Sequence, residues 1–122
     1  MMDRKQLELE NWRAALTADI QSSDVGLSTR ALLRLTYDDP DRIRVEAVLL
    51  GCLSPEADAQ IRALAVTCMG HLARIHRAVS ANIVRRLQEL LDDPELGGRA
   101  EDALDDIAAF SGEDLNPDRH DV

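Results

Sequence analysis

Residues 58–72 read DAQIRALAVTCMGHL, and this stretch decides the fold. Its apolar residues Ile61, Ala65, Val66, Met69 and Leu72 recur three and four apart, the spacing that lines one face of an α-helix. Strict alternation over a strand length is absent here and in the rest of the chain. The same ladder occurs twice more. Leu27, Ala31, Leu32 and Leu35 match Ile61, Ala65, Val66 and Met69 at an offset of 34 residues. Ala103, Leu104, Ile107 and Phe110 match Ala65, Val66, Met69 and Leu72 at an offset of 38. Recurrence at this period on a helix–turn–helix unit indicates an α-solenoid, in which each hairpin buries its apolar stripe on its neighbours.

The flanking sequence predicts six helices in all. The first runs from about Asp3 to Ile20 on the stripe Leu9, Trp12, Leu16 and Ile20, the second from Leu27 to Tyr37, and the third from Asp41 to Leu53. Ser54-Pro55-Glu56 reads as an N-cap with proline at the first helical position, which starts the longest helix at Pro55 and carries it to Ile75. A fifth helix begins near Ser80, and Gly97-Gly98 reads as a loose start to a sixth, Arg99 to Phe110. Asp38-Asp39-Pro40 and Asp92-Asp93-Pro94 are matching breaks, because proline disfavours helix in the residue before it. The expected organisation is one all-α domain over residues 1–112, three helical hairpins, and a polar tail over 113–122. With one Trp, one Tyr and one Phe in 122 residues, the core must be aliphatic. Ala31, Ala65 and Ala103 are expected to be buried where helices approach closely.

On these residues the chain resembles the HEAT-repeat superfamily. The second helix of such a repeat reads acid, spacer, aliphatic-Arg, a small residue, then an aliphatic ladder. Here that is Asp58, Ile61-Arg62, Ala65, Met69-Gly70 and Leu72. Arg99, Ala103 and Ile107 give a degraded copy that lacks the aliphatic residue before Arg, and the first hairpin matches poorly. The resemblance implies a short solenoid with a binding surface. An irregular six-helix bundle is the alternative architecture.

Charge is distributed unevenly. Residues 89–114 hold ten carboxylates and one base, Arg99, and net −9, which is the formal charge of the whole chain. From Ala59 to Gln88 there is no acid, but there are Arg62, Arg74, Arg77, Arg85 and Arg86. Such separation gives the molecule an oriented field that bears on its partners and not on its fold. On the sixth helix Glu101 with Asp105, and Asp102 with Asp106, stand four apart on the outer side. Like charges at that spacing destabilise a helix by about 0.2–0.5 kcal/mol per pair. Their alternatives are a solvated face, locally paired with Arg85 or Arg86, or a surface for a basic partner. The arginines of residues 62–86 read as ion pairs within and between hairpins, with a basic strip for nucleic acid as the lesser reading.

Motifs that carry chemistry are missing. Asp92-Asp93-Pro94-Glu95 lacks the spacing of a calcium loop, and no Glu-x-x-His pair suits a helical di-metal site. Gly97-Gly98 lacks the partners of a phosphate loop, and no Ser or Cys sits in a nucleophile motif. His71 and His76 flank a helix end, His120 lies in the tail, and Cys52 and Cys68 read as buried thiols in a reducing compartment. No catalytic, cofactor or metal site is expected. The N-terminal MMDRKQLELENW is charged and offers no signal peptide, and no stretch approaches the roughly 18 apolar residues of a membrane span, so the expected location is cytoplasmic. Thirteen Arg against one Lys, with abundant Ala, suggests a GC-rich bacterial genome.

These readings lead to a stoichiometric binding protein. A compact acidic helical repeat without catalytic groups resembles a bacterial immunity protein, and the resemblance implies that it neutralises a basic, nuclease-type toxin by covering its active site. The expected partner-binding residues are Asp92, Asp93, Glu95, Glu101, Asp102, Asp105 and Asp106. A HEAT-like scaffold for an endogenous partner is the alternative, with a lyase built on paired carboxylates behind it.

Overall fold

A computed structural model describes residues 1–111. The expected tail over 113–122 lies outside them. Six α-helices and no strand are found among the described residues: α1 (Arg4–Ile20), α2 (Val25–Asp38), α3 (Arg42–Gly51), α4 (Ala59–His76), α5 (Ala81–Leu90) and α6 (Gly97–Phe110).

Aspartate starts four of them. Asp3, Asp24, Asp41 and Asp58 accept hydrogen bonds from Gln6 N, Leu27 N, Arg44 N and Gln60 N, satisfying amides that the first turn leaves unpaired. Two predicted boundaries are corrected by this chemistry. α4 starts at Ala59, not Pro55, because Asp58 is the cap. The Ser54 hydroxyl is committed to a turn instead, donating to Glu56 Oε2 and accepting from Glu56 N. The start of α6 is tight and not loose. It begins at Gly97, where a Cβ would lie 2.5 Å from the Leu91 carbonyl oxygen, so only glycine fits.

α2, α4 and α6 lie side by side with α4 in the middle, and each packs against the odd-numbered helix before it. Contacts advance together along α4 and α6. Arg99 Nη1 donates to Thr67 Oγ1, Gly70 meets Ala103, and Arg74 and Arg77 reach Phe110, so the two helices run in the same direction. Across α2 and α4, the Tyr37 ring packs on His71 with centroids 5.4 Å apart. Ala31, Ala65 and Ala103 are buried, as expected of close approaches. The core is aliphatic, with Leu32, Leu49, Met69, Leu72, Ile83, Leu87 and Ile107 fully shielded from solvent.

Gly70 sets the spacing between α4 and α6. A Cβ there would come within 3.1 Å of Ala103 Cα and 3.1 Å of Asp106 Oδ2. Gly70→Ala therefore requires Ala103 to give by a few tenths of an ångström, and where it does not, the expected cost is about 1–3 kcal/mol from overpacking. Against it stands the helix-propensity gain of roughly 1 kcal/mol for alanine over glycine, so net destabilisation is the expected result when the contact does not yield. Urea unfolding decides the sign, and a more stable variant would show that the contact yields.

Candidate interaction surface

α6 buries Ala100, Ala103 and Ile107, turns Glu101, Asp102 and Asp105 outward, and lays the Asp106 carboxylate against Gly70 of α4. Glu101, Asp102 and Asp105 are exposed, and Asp106 is half-buried. None of the four forms a hydrogen bond or ion pair among the described residues. The nearest bases in sequence are directed elsewhere: Arg99 to Thr67 and Arg86 to Glu89 at 3.3 Å. The local pairing of α6 with Arg85 or Arg86 is thus not formed.

The other three acidic candidates are placed differently. Asp92 is exposed. Asp93 shapes the turn into α6 by accepting from Glu95 N at 2.8 Å and Leu96 N at 2.9 Å. Those amides hold its carboxyl below the ordinary range. Glu95 meets Arg62 of α4 at 3.5 Å, an exposed pair of little energetic weight. The seven candidates therefore divide into three exposed carboxylates on α6 with Asp106 beside them against α4, the solvated Asp92, Asp93 holding the preceding turn, and Glu95 in an exposed pair with Arg62. Glu113 and Asp114, which share the acidic stretch, lie outside the described residues.

At the C-terminal end of α4 the sign reverses. Arg74 and Arg77 are exposed, and each carries its guanidinium carbon 5.4 Å from the centre of the Phe110 ring. Arg77 stands at φ 60°, ψ 21°, in the left-handed region. His71 lies alongside. Its burial and the charge of Arg74 lower its pKa, against the opposing pull of Asp106.

Two buried polar clusters sit away from this surface. Arg13, within the apolar stripe of α1, donates through Nε and Nη2 to both oxygens of Asp39, each at 2.7 Å. Asp39 Oδ1 also accepts from Asp41 N at 2.8 Å. Burial by itself raises the Asp39 pKa, but the Arg13 hydrogen bonds, the Asp41 amide and the Arg13 and Arg44 charges outweigh it and hold the carboxyl low. Glu46 of α3 is likewise buried and accepts from Arg42 and from Ser80 N, which joins α3 to the start of α5. Sequence reasoning passed over both. The available signal was position: Arg13 falls four after Leu9 and three before Leu16, and Glu46 falls between Val45 and Leu49, so each lies on a face bound for the core.

Cys52 and Cys68 are free and buried, and burial pushes the Cys68 thiol up to about 11, far from a reactive thiolate. No group of three or more His, Cys, Asp or Glu suited to a metal ion occurs among the described residues, and no helix among them is long and apolar enough to cross a membrane. An open groove of about 560 Å³ runs over Leu33, Ala63, Leu64 and Leu96, with Glu95 and Arg99 among its lining residues. It gathers no pair of groups disposed for acid–base work. Comparison with protein-family models, curated proteins and solved structures finds no match to this chain.

Proposed function

We propose that this chain is a stoichiometric binding protein, a short HEAT-like solenoid that presents the acidic face of α6 to a basic protein partner. The specific form of the proposal is a bacterial immunity protein, acting in the cytoplasm without turnover, that covers the cationic active-site cleft of a nuclease-type toxin. One observation carries it. Glu101, Asp102 and Asp105 project from α6 and Asp106 lies beside them against Gly70, like charges four apart in two couples, with no ion pair to any of them among the described residues. Stability alone disfavours that arrangement, whereas a cationic cleft would relieve it and be captured faster through charge complementarity. The side-by-side packing of α2, α4 and α6 supports the solenoid reading, because Tyr37 meets His71, Thr67 meets Arg99 and Gly70 meets Ala103, residues 32 to 34 apart and close to the period of the apolar ladders.

The test is the quadruple variant Glu101→Gln, Asp102→Asn, Asp105→Asn, Asp106→Asn, assayed against the partner co-purified from the native host. The variant is expected to keep its helix content. Its affinity at low salt is expected to fall at least about tenfold, equivalent to about 1.4 kcal/mol. The salt dependence of association should flatten with it. Asp93→Asn and Glu95→Gln should move affinity less, since Asp93 is engaged in the turn and Glu95 is paired with Arg62. Unchanged affinity and unchanged salt slope in the quadruple variant would mean that the acidic face is only solvated.

A further inference from the structure

We propose that Arg74, Arg77 and Phe110 form a carboxylate-binding fork that seats an acidic side chain of the protein partner beside the partner's basic patch. The inference rests on the reading of α6 as the docking face and adds the orientation in which the partner must sit.

Three observations lead to it. Arg74 and Arg77 take no carboxylate among the described residues, as is also true of Arg30, Arg85 and Arg99, but they alone of these five share one aromatic ring. Both are instead held against one ring, each 5.4 Å from its centre, within the range of a cation–π contact. A guanidinium stacked on a ring keeps its N–H edge free for a bidentate carboxylate and loses little freedom when one arrives. The third observation is backbone geometry. Arg77 occupies the left-handed conformation that closes α4 through Arg77 N donating to Ala73 O. Glycine suits that position best, because a Cβ is strained there. The α4 dipole gives no reason for the strain, since a cation at a helical position in the last turn, such as Arg74, already serves it. Backbone energetics thus favour glycine, and what arginine adds is its side chain. Strained residues of this kind concentrate at binding sites.

The surroundings select a carboxylate over a polyanion. Asp106 lies one turn before Phe110 on the same helix, and Asp102 and Asp105 follow the same exposed side. A phosphate chain or nucleic acid reaching the fork would meet those charges. A single carboxylate on an otherwise basic surface satisfies the fork and the α6 face together.

The test uses two peptides, acetyl-Lys-Lys-Glu-Lys-Lys-amide and its Gln counterpart, titrated into the full chain at low ionic strength. NMR reads the arginine Nε–H signals and the amides of residues 101–106. The Glu peptide is expected to shift both sets in a saturable way, and to bind about threefold or more tightly than the Gln peptide, which should shift only the α6 amides. Arg77→Gly should bring the Glu peptide down to the affinity of the Gln peptide without lowering the melting temperature. If both peptides move the Arg74 and Arg77 signals equally, or neither does, the fork is refuted. Saturation of those signals by inorganic phosphate at lower concentration than the Glu peptide would also overturn the assignment to carboxylate. If the arginine signals respond to the Glu peptide alone while the α6 amides stay still, the fork stands and the acidic docking face fails.

Discussion

Replacing Asp39 with alanine is expected to destabilise the protein by about 3–5 kcal/mol, the cost of breaking a buried pair from one side. The substitution leaves the Arg13 guanidinium buried, with only Glu10 at 3.0 Å as a remaining carboxylate. It also removes the acceptor of Asp41 N. Against the roughly 5–15 kcal/mol that holds a domain folded, this is a large fraction. Urea unfolding measures it, and a loss under about 1 kcal/mol would show that the pair adds nothing the chain cannot replace. Arg13→Met combined with Asp39→Ala should lose less than the two single variants together, because no unpaired charge is then left inside. The pair also fixes a pH response. Its environment holds the Asp39 carboxyl below its unfolded value of about 3.9. Its stabilisation is therefore complete above that value and is lost as pH falls through the lower folded value. Asp39→Asn should flatten stability in that acid window and change its shape little near neutrality.

The second large effect is expected in the core. Leu72 is fully buried on α4, the helix that α2, α3 and α6 all pack against. Leu72→Ala is expected to cost about 2–5 kcal/mol, the removed methyl groups plus the cavity they leave. The control is Leu7→Ala on α1. Leu7 is 48% exposed, and its truncation should stay within about 0.5 kcal/mol of neutral. Equal losses at the two positions in denaturant titrations would mean that α4 is not the centre of the core.

Much of the helical layout was readable because the apolar ladders at Leu27, Ile61 and Ala103 impose the 3.6-residue period directly, and small residues in them mark close approaches. Boundaries were less readable where two capping chemistries compete. Ser54-Pro55 and Asp58 are both plausible starts, and only the folded turn shows Asp58 accepting from Gln60 N. Gly97 looked like slack because sequence does not reveal that the Leu91 carbonyl passes 2.5 Å from where its side chain would be. Arg13 and Asp39 are 26 residues apart, and nothing local announces their meeting. For the acidic face, sequence supplied the charge excess but not its partition. Asp93 and Glu95 belong with Asp102 and Asp105 by charge, yet Asp93 holds a turn, Glu95 pairs with Arg62, and the other two form no pair among the described residues. The Arg74–Phe110–Arg77 arrangement joins residues more than 30 apart and depends on α4 and α6 running in the same direction, which composition does not encode.

The position of α6 has a consequence for motion. α4 and α5 are its substantial helix neighbours, so it flanks the described layer instead of lying within it. Opening of such a flanking helix does not require the whole structure to unfold, and its amides should exchange with solvent at a lower free-energy cost than those of α4. The surface proposed for docking is therefore carried by one of the more easily opened parts of the protein. A partner that binds only the closed form suppresses that opening in proportion to its occupancy, so complex formation would appear first as slowed deuterium uptake in α5 and α6, before any change in shape.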